Sequence, residues 1–193
     1  MKNQKQQKLF PNALFALILL TNLLIYKSVY SASIDDFVIT VKTDYPGDSS
    51  DMQFTIPTYP DEAYNYNVDC DNDGTDEASS VSGDYTCTYS FPGTYTIRIK
   101  DNNGDGSGFP RIYFNNSGDR EKLLTINQWG TGKWTSMASS FYGCSNLAGD
   151  ASDNPDLSSV MDMSRMFCAT EVFNGNIGGW DTSNVTDMSY MFE

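Results

Sequence analysis

The chain contains no histidine. That removes the commonest general base and every Ser–His or Cys–His arrangement for nucleophilic catalysis. Positive charge is also scarce, with 12 Lys and Arg against 25 Asp and Glu. No basic stripe exists to neutralise phosphates, so nucleic acid is excluded as a partner. Long apolar runs are missing too. The longest, Leu14 to Tyr26, has 13 residues and is broken by Thr21 and Asn22, short of the roughly 20 needed to span a bilayer. Nothing in the first two thirds of the chain keeps a helical period over a useful length.

What is present begins with an export signal. Lys2, Lys5 and Lys8 precede the apolar run, and Val29-Tyr30-Ser31 supplies acceptable residues for cleavage after Ser31. The competing reading is a retained membrane anchor, which the short run disfavours. Residues 1–31 hold four of the twelve basic residues and no acid, leaving eight bases against 25 acids, a formal net charge of −17, over 162 residues. Such a chain repels anionic surfaces and attracts cations. Its four cysteines, Cys70, Cys87, Cys144 and Cys168, lie in the exported part. An even count suits an oxidising compartment, with three possible connectivities.

Residues 34–126 read as β. Phe37–Lys42, Met52–Ile56, Tyr64–Asp69, Tyr85–Tyr89 and Thr94–Ile99 alternate or are rich in β-branched and aromatic residues. Pro, Gly, Asn and Asp turns separate them, a spacing that argues for a β-sandwich. Arg111–Phe114 and Leu123–Ile126 are expected as two further short strands leading out of it.

Two acidic loops carry the only metal-like pattern. Asp69-x-Asp71-x-Asp73-Gly74 and Asp101-x-Asn103-x-Asp105-Gly106 both match the first half of a calcium loop, with oxygen ligands at alternate positions and a glycine to turn the chain. The twelfth position, where a bidentate Glu is required, is Ser80 in one and Ile112 in the other. The same residues also suit tight solvated turns between strands. A structural calcium ion is the one cofactor the sequence suggests.

Tyr66-Asn-Val-Asp-Cys-Asp-Asn-Asp-Gly-Thr75, with Tyr85-Thr-Cys-Thr-Tyr89 and Phe91-Pro-Gly-Thr-Tyr-Thr-Ile97, resembles the PKD-type immunoglobulin-like sandwich over about 34–110. That family carries a V-D-W-G-D-G-T turn and a later H-T-Y…P-G-T-Y-T-V stretch. Here Cys70 stands at the Trp position and Cys87 near the His. What the resemblance implies, two family positions on neighbouring strands both replaced by Cys, is a Cys70–Cys87 disulfide. The alternative is two free buried thiols.

The C-terminal third is repetitive. Asp156 to Phe167 and Asp181 to Phe192 share eight of twelve residues at an offset of 25. Met137, Met163 and Met188 recur at spacings of 26 and 25, as do Phe141, Phe167 and Phe192. So do Trp134, Val160 and Val185. Three units follow, at 127–152, 153–177 and 178–193, each read as a short inward strand turning into a brief helix. Repeats of this length stack so that equivalent side chains form ladders, here Val on Val, Met on Met and Phe on Phe. Methionine stripes invite a soft-metal reading. With no His and no Cys cluster, a packed core is the better account.

Trp180 to Phe192 reproduces the W-D-T-S-N-V-T-D-M-S-Y-M-F motif, and Phe141-Tyr-Gly-Cys-Ser-Asn-Leu147 matches an A-F-x-x-C-x-x-L segment. Both are similar to BspA-like leucine-rich-repeat bacterial surface proteins. The expected architecture is therefore mostly β, a PKD-like sandwich (34–110) followed by connecting strands (111–126) and a leucine-rich-repeat-like β/α solenoid (127–193). The resemblance implies a non-catalytic, secreted or cell-surface protein that adheres to or recognises an unknown protein or glycan. Candidate face residues are Asp162, Arg165, Asp187 and Tyr190, in recurring columns whose neighbours point inward. The alternatives are an accessory fragment of a secreted hydrolase and a purely structural surface spacer.

Overall fold

The computed structural model describes residues 33–193. The export signal read at 1–31 lies outside the described residues.

Eight strands form in chain order: β1 Phe37–Lys42, β2 Gln53–Ile56, β3 Tyr66–Asp69, β4 Ala78–Val81, β5 Tyr85–Thr88, β6 Thr94–Asp101, β7 Leu123–Gln128 and β8 Ala148–Gly149. A single 3-10 turn, Arg120–Lys122, is the only helical element among the described residues. Six strands make a mixed sheet in the order β4-β3-β6-β1-β7-β8, and β2 pairs with β5 as a separate ribbon. All pairings are antiparallel except β7 with β8.

Side-chain alternation explains which faces meet. β2 buries Phe54 and Ile56 and leaves Gln53 and Thr55, on its other face, half-buried. β6 buries Ile97 and Ile99 on one face. Its opposite face carries Arg98, which is nonetheless buried because Asp36 and Asp69 flank it, with Nη2 2.5 Å from Asp36 and Nη1 3.6 Å from Asp69. The ribbon and the six-stranded sheet contribute to one core, in which Phe54, Ile56 and Cys87 join Ile39, Val41, Tyr66, Val68 and Ile97. The expected Cys70–Cys87 disulfide is present, with Cα atoms 5.8 Å apart, and ties the end of β3 to β5.

Two expectations need correction. Arg111–Phe114 is not a strand. Its backbone is instead shared out, Tyr113 N–H donating to Pro57 and Phe114 N–H to Ser140. Nor do the short inward strand and brief helix expected in each repeat form; beyond the end of β7, the only strand there is the two-residue β8. The units are built of turns, joined by isolated bridges at Lys133–Asp156 and Asp162–Asp187. The reason lies in the backbone: Ser139, Arg165, Ala169 and Tyr190 all take positive φ, which interrupts any right-handed helix after one turn.

The turned units nevertheless stack in register. The N–H groups of Met137, Ser139, Phe141 and Gly143 donate to the carbonyls of Asp162, Ser164, Met166 and Cys168. Those of Met163, Arg165, Phe167 and Ala169 donate in turn to Asp187, Ser189, Met191 and Glu193. Phe141, Phe167 and Phe192 lie nearly parallel, with centroids 5.6 and 5.7 Å apart. Met137, Met163 and Met166 are fully buried, whereas Met188 in the last unit is 43 % exposed, so the methionine column is core in the first two units. The first unit meets the sheet through an aromatic cluster in which Phe37 stacks on Trp129 and meets Trp134 edge to face at 5.0 Å.

Candidate functional site

Two regions carry the residues singled out from the sequence. The first is the loop after β3. Asp69 is completely buried and closes the turn, accepting from the N–H groups of Asp73 (3.2 Å) and Gly74 (3.0 Å). Asp69, Asp71 and Glu77 bring carboxylate oxygens within 4.8 Å of one another. Glu77 also accepts the Cys70 N–H at 2.5 Å. Desolvation raises the Asp71 carboxyl above its ordinary range, and repulsion from Asp73 and Asp69 adds to it. Desolvation likewise raises Glu77, opposed by the Cys70 N–H and reinforced by Asp71. Three hard oxygen donors at this separation are part of the six to eight that a calcium ion takes, and Asp69 also lies 3.6 Å from Arg98 and 3.8 Å from Lys100. Asp73 stands outside the group, accepting the Thr75 N–H at 2.8 Å. Glu77 was not singled out from the sequence, although it occupies the ninth position of the loop when Asp69 is the first.

The second acidic loop is organised differently. Asp101 accepts from Asn103, Gly106 and Gly108 N–H groups at 3.1, 2.9 and 2.7 Å. Burial pushes its carboxyl up, but those backbone donors outweigh it and the group ends below its ordinary value. Asn103 bonds Asn65 and Ser107, and Asp105 accepts both the N–H and the hydroxyl of Ser107. Each of the three is engaged by its own surroundings, as in a tight turn.

The second region is the column on the repeats. Arg165 and Tyr190 stand one above the other, the guanidinium carbon 5.4 Å from the ring centroid. Both are exposed and both sit at positive φ, as does Ser139 in the unit before. Asp162 and Asp187 pair as a parallel bridge, and each carboxylate accepts the N–H of the serine two residues on at 2.8 Å. Asp187 is lowered from its ordinary value by that N–H and by the Ser189 hydroxyl. One oxygen of each Asp is therefore committed to its turn. Met161, 60 % exposed beside them, is a member of this face that the repeat pattern did not flag, since the following unit has Thr186 there.

Residues 111–193 match DUF285, a family described as a Mycoplasma protein of unknown function. The DUF285 region begins at Arg111 and so takes in β7, the stacked units and the exposed column, but not the acidic loops. No curated protein and no solved structure matches the chain.

Proposed function

We propose that the protein is a non-catalytic, exported surface protein in which a PKD-like β-sandwich carries a BspA-like solenoid, and that it recognises a protein or glycan through the exposed column of the repeats. The backbone bonds between successive units carry this reading. They fix equivalent residues at one register, so that Arg165 and Tyr190 form a single cationic and aromatic patch. Arg and Tyr are also the side chains that dominate binding energy at interfaces. The Cys70–Cys87 disulfide is consistent with an oxidising exterior. The turn roles of Asp162 and Asp187, each accepting the N–H of the serine two residues on, argue against a hydrolytic carboxylate pair here.

The test is binding of the mature chain to immobilised extracellular-matrix proteins and glycans, beside a double variant Arg165→Ala, Tyr190→Ala. The variant is expected to lose binding while keeping its melting temperature, because both side chains are exposed. Equal binding by a folded variant would show the column to be inert.

A further inference from the structure

A second surface lies away from the repeat column, where the segment after β2 meets the segment after residue 110. Two hollows of about 350 and 520 Å³ adjoin there and share Thr58 and Asp84. Tyr113 lines one and Tyr59 the other. The two rings meet edge to face, 4.9 Å between centroids. We propose that this cleft binds a neutral saccharide, with the two tyrosines as the stacking platform and Asp84 and Glu62 as hydroxyl acceptors.

The platform is held in advance of any ligand. The Tyr64 hydroxyl accepts the Tyr59 N–H at 2.8 Å and donates to the Arg111 carbonyl at 2.9 Å. Tyr113 N–H donates to Pro57. Buried Arg111 lies over both rings, 4.1 Å from Tyr59 and 4.7 Å from Tyr113, and donates to the Ala138 carbonyl. Aromatic side chains fixed in this way bind with little loss of rotamer freedom.

The chemistry of the ligand follows from what is already satisfied. Asp84 Oδ1 accepts both the N–H and the hydroxyl of Thr58 at 2.7 Å, and Glu62 Oε1 accepts the Thr135 hydroxyl at 2.8 Å. Each carboxylate keeps its second oxygen, an acceptor suited to sugar hydroxyls. No Lys or Arg lines either hollow among the described residues, so a phosphate or sulfate ester is disfavoured. The lining acids Asp48, Asp84 and Glu62 would attract a cation, so a cationic peptide is the competing ligand; what opposes it at the rings is the guanidinium of Arg111 already held there. A sugar ring presents C–H groups to the tyrosines and hydroxyls to the acids without adding charge.

The experiment is saturation-transfer NMR of the mature chain with cellotetraose, maltotetraose and chitotetraose, and with tetra-arginine as the cationic control. Saturable binding of a saccharide is expected, weakened about ten-fold by Tyr59→Ala, the loss of one aromatic contact. Asp84→Asn, at an exposed position, tests the acceptor without touching the core and should also weaken binding. Tyr59→Phe should retain most of it. Binding of none of the three sugars, saccharide binding indifferent to Tyr59→Ala and Asp84→Asn in folded variants, or tetra-arginine binding that Asp84→Asn abolishes would each overturn the proposal. Saccharide binding that Tyr59→Ala spares and the Arg165→Ala, Tyr190→Ala double variant abolishes would assign it to the repeat column and overturn this proposal, which separates the two readings.

Discussion

Single side chains carry the sharpest tests. Lys122 is fully buried, yet its ammonium reaches the carbonyls of Ser49, Ser50 and Gln53 at 2.8–3.0 Å and lies 3.7 Å from Asp119. Asp119 in turn accepts from Ser49 and Thr55 N–H groups. Lys122 thus acts as a fixed cation that closes the loop between β1 and β2. Lys122→Met leaves a buried carboxylate and three carbonyls without it, and is expected to cost about 3–5 kcal/mol in denaturant unfolding. Gly47 packs against the same pair, and a Cβ there would come within 2.7 Å of Lys122 Cε. The loop at Asp69 gives a second test. Calcium should raise the melting temperature of the wild-type chain and chelator should reverse the rise, with Glu77→Gln abolishing it. The same variant in chelator should be no less stable than wild type, because burial, and after it repulsion from Asp71, raises the Glu77 carboxyl and so disfavours its charge. Identical wild-type melting curves with and without calcium would remove the metal from the account.

At the scale of elements, the strands were legible and the turns were not. β1 occupies the range its alternation indicates, and β2, β3, β5 and β6 differ only at their ends, because period-2 burial is written in Phe54, Ile56, Ile97 and Ile99. β4 escaped notice because Ala78-Ser-Ser-Val81 is short and polar. It is held by pairing to β3 and not by its own propensity. The helices expected in the repeats fail at Ser139, Arg165 and Tyr190, whose left-handed backbone no residue type announces. The Cys70–Cys87 link rests on departures from a family pattern at two positions. Cys70→Ser with Cys87→Ser should cost about 3 kcal/mol on the chain-entropy model, read as a lower denaturant midpoint. The two sets of acids respond to pH with opposite sign. Asp101 and Asp156 lie below their ordinary values, so their contribution is present above about pH 4 and lost as pH falls through the lowered values. Asp71 and Glu77 lie above theirs, so stability is lost as pH rises from the unfolded values through the raised ones. Without calcium, Asp71→Asn should therefore remove the loss of stability just above the ordinary carboxylate range and leave the loss below it in place.

For the molecule as a whole, the decisive fact is that the buried apolar residues, Val38 and Cys168 apart, form one cluster from Phe37 to Met191. Composition and repeats pointed to two parts, and the seam between them was not visible because its partners are far apart in sequence. β7 pairs with β1 through Ile39 and Ile126. Phe114, Asn115 and Asn116 donate to Ser140, Ser139 and Tyr142 and cover the first repeat unit, while Trp129 and Trp134 pack on Phe37. A repeat unit cannot bury its own apolar face, so the sheet serves as the surface on which the stack is built. The expectation is a single unfolding transition for residues 32–193, seen alike by far-ultraviolet circular dichroism and tryptophan fluorescence. All three tryptophans lie in the repeats, and most of the strand signal lies in the sheet. Phe37→Ala, in the sheet, should then lower the tryptophan-monitored midpoint as much as the dichroism midpoint, at a cost of about 3–5 kcal/mol. Residues 111–193 alone should lack cooperative unfolding, since β7 loses β1 and the aromatic seam is opened. Separate transitions, with Phe37→Ala moving only one of them, would instead make the matched family region an independent module.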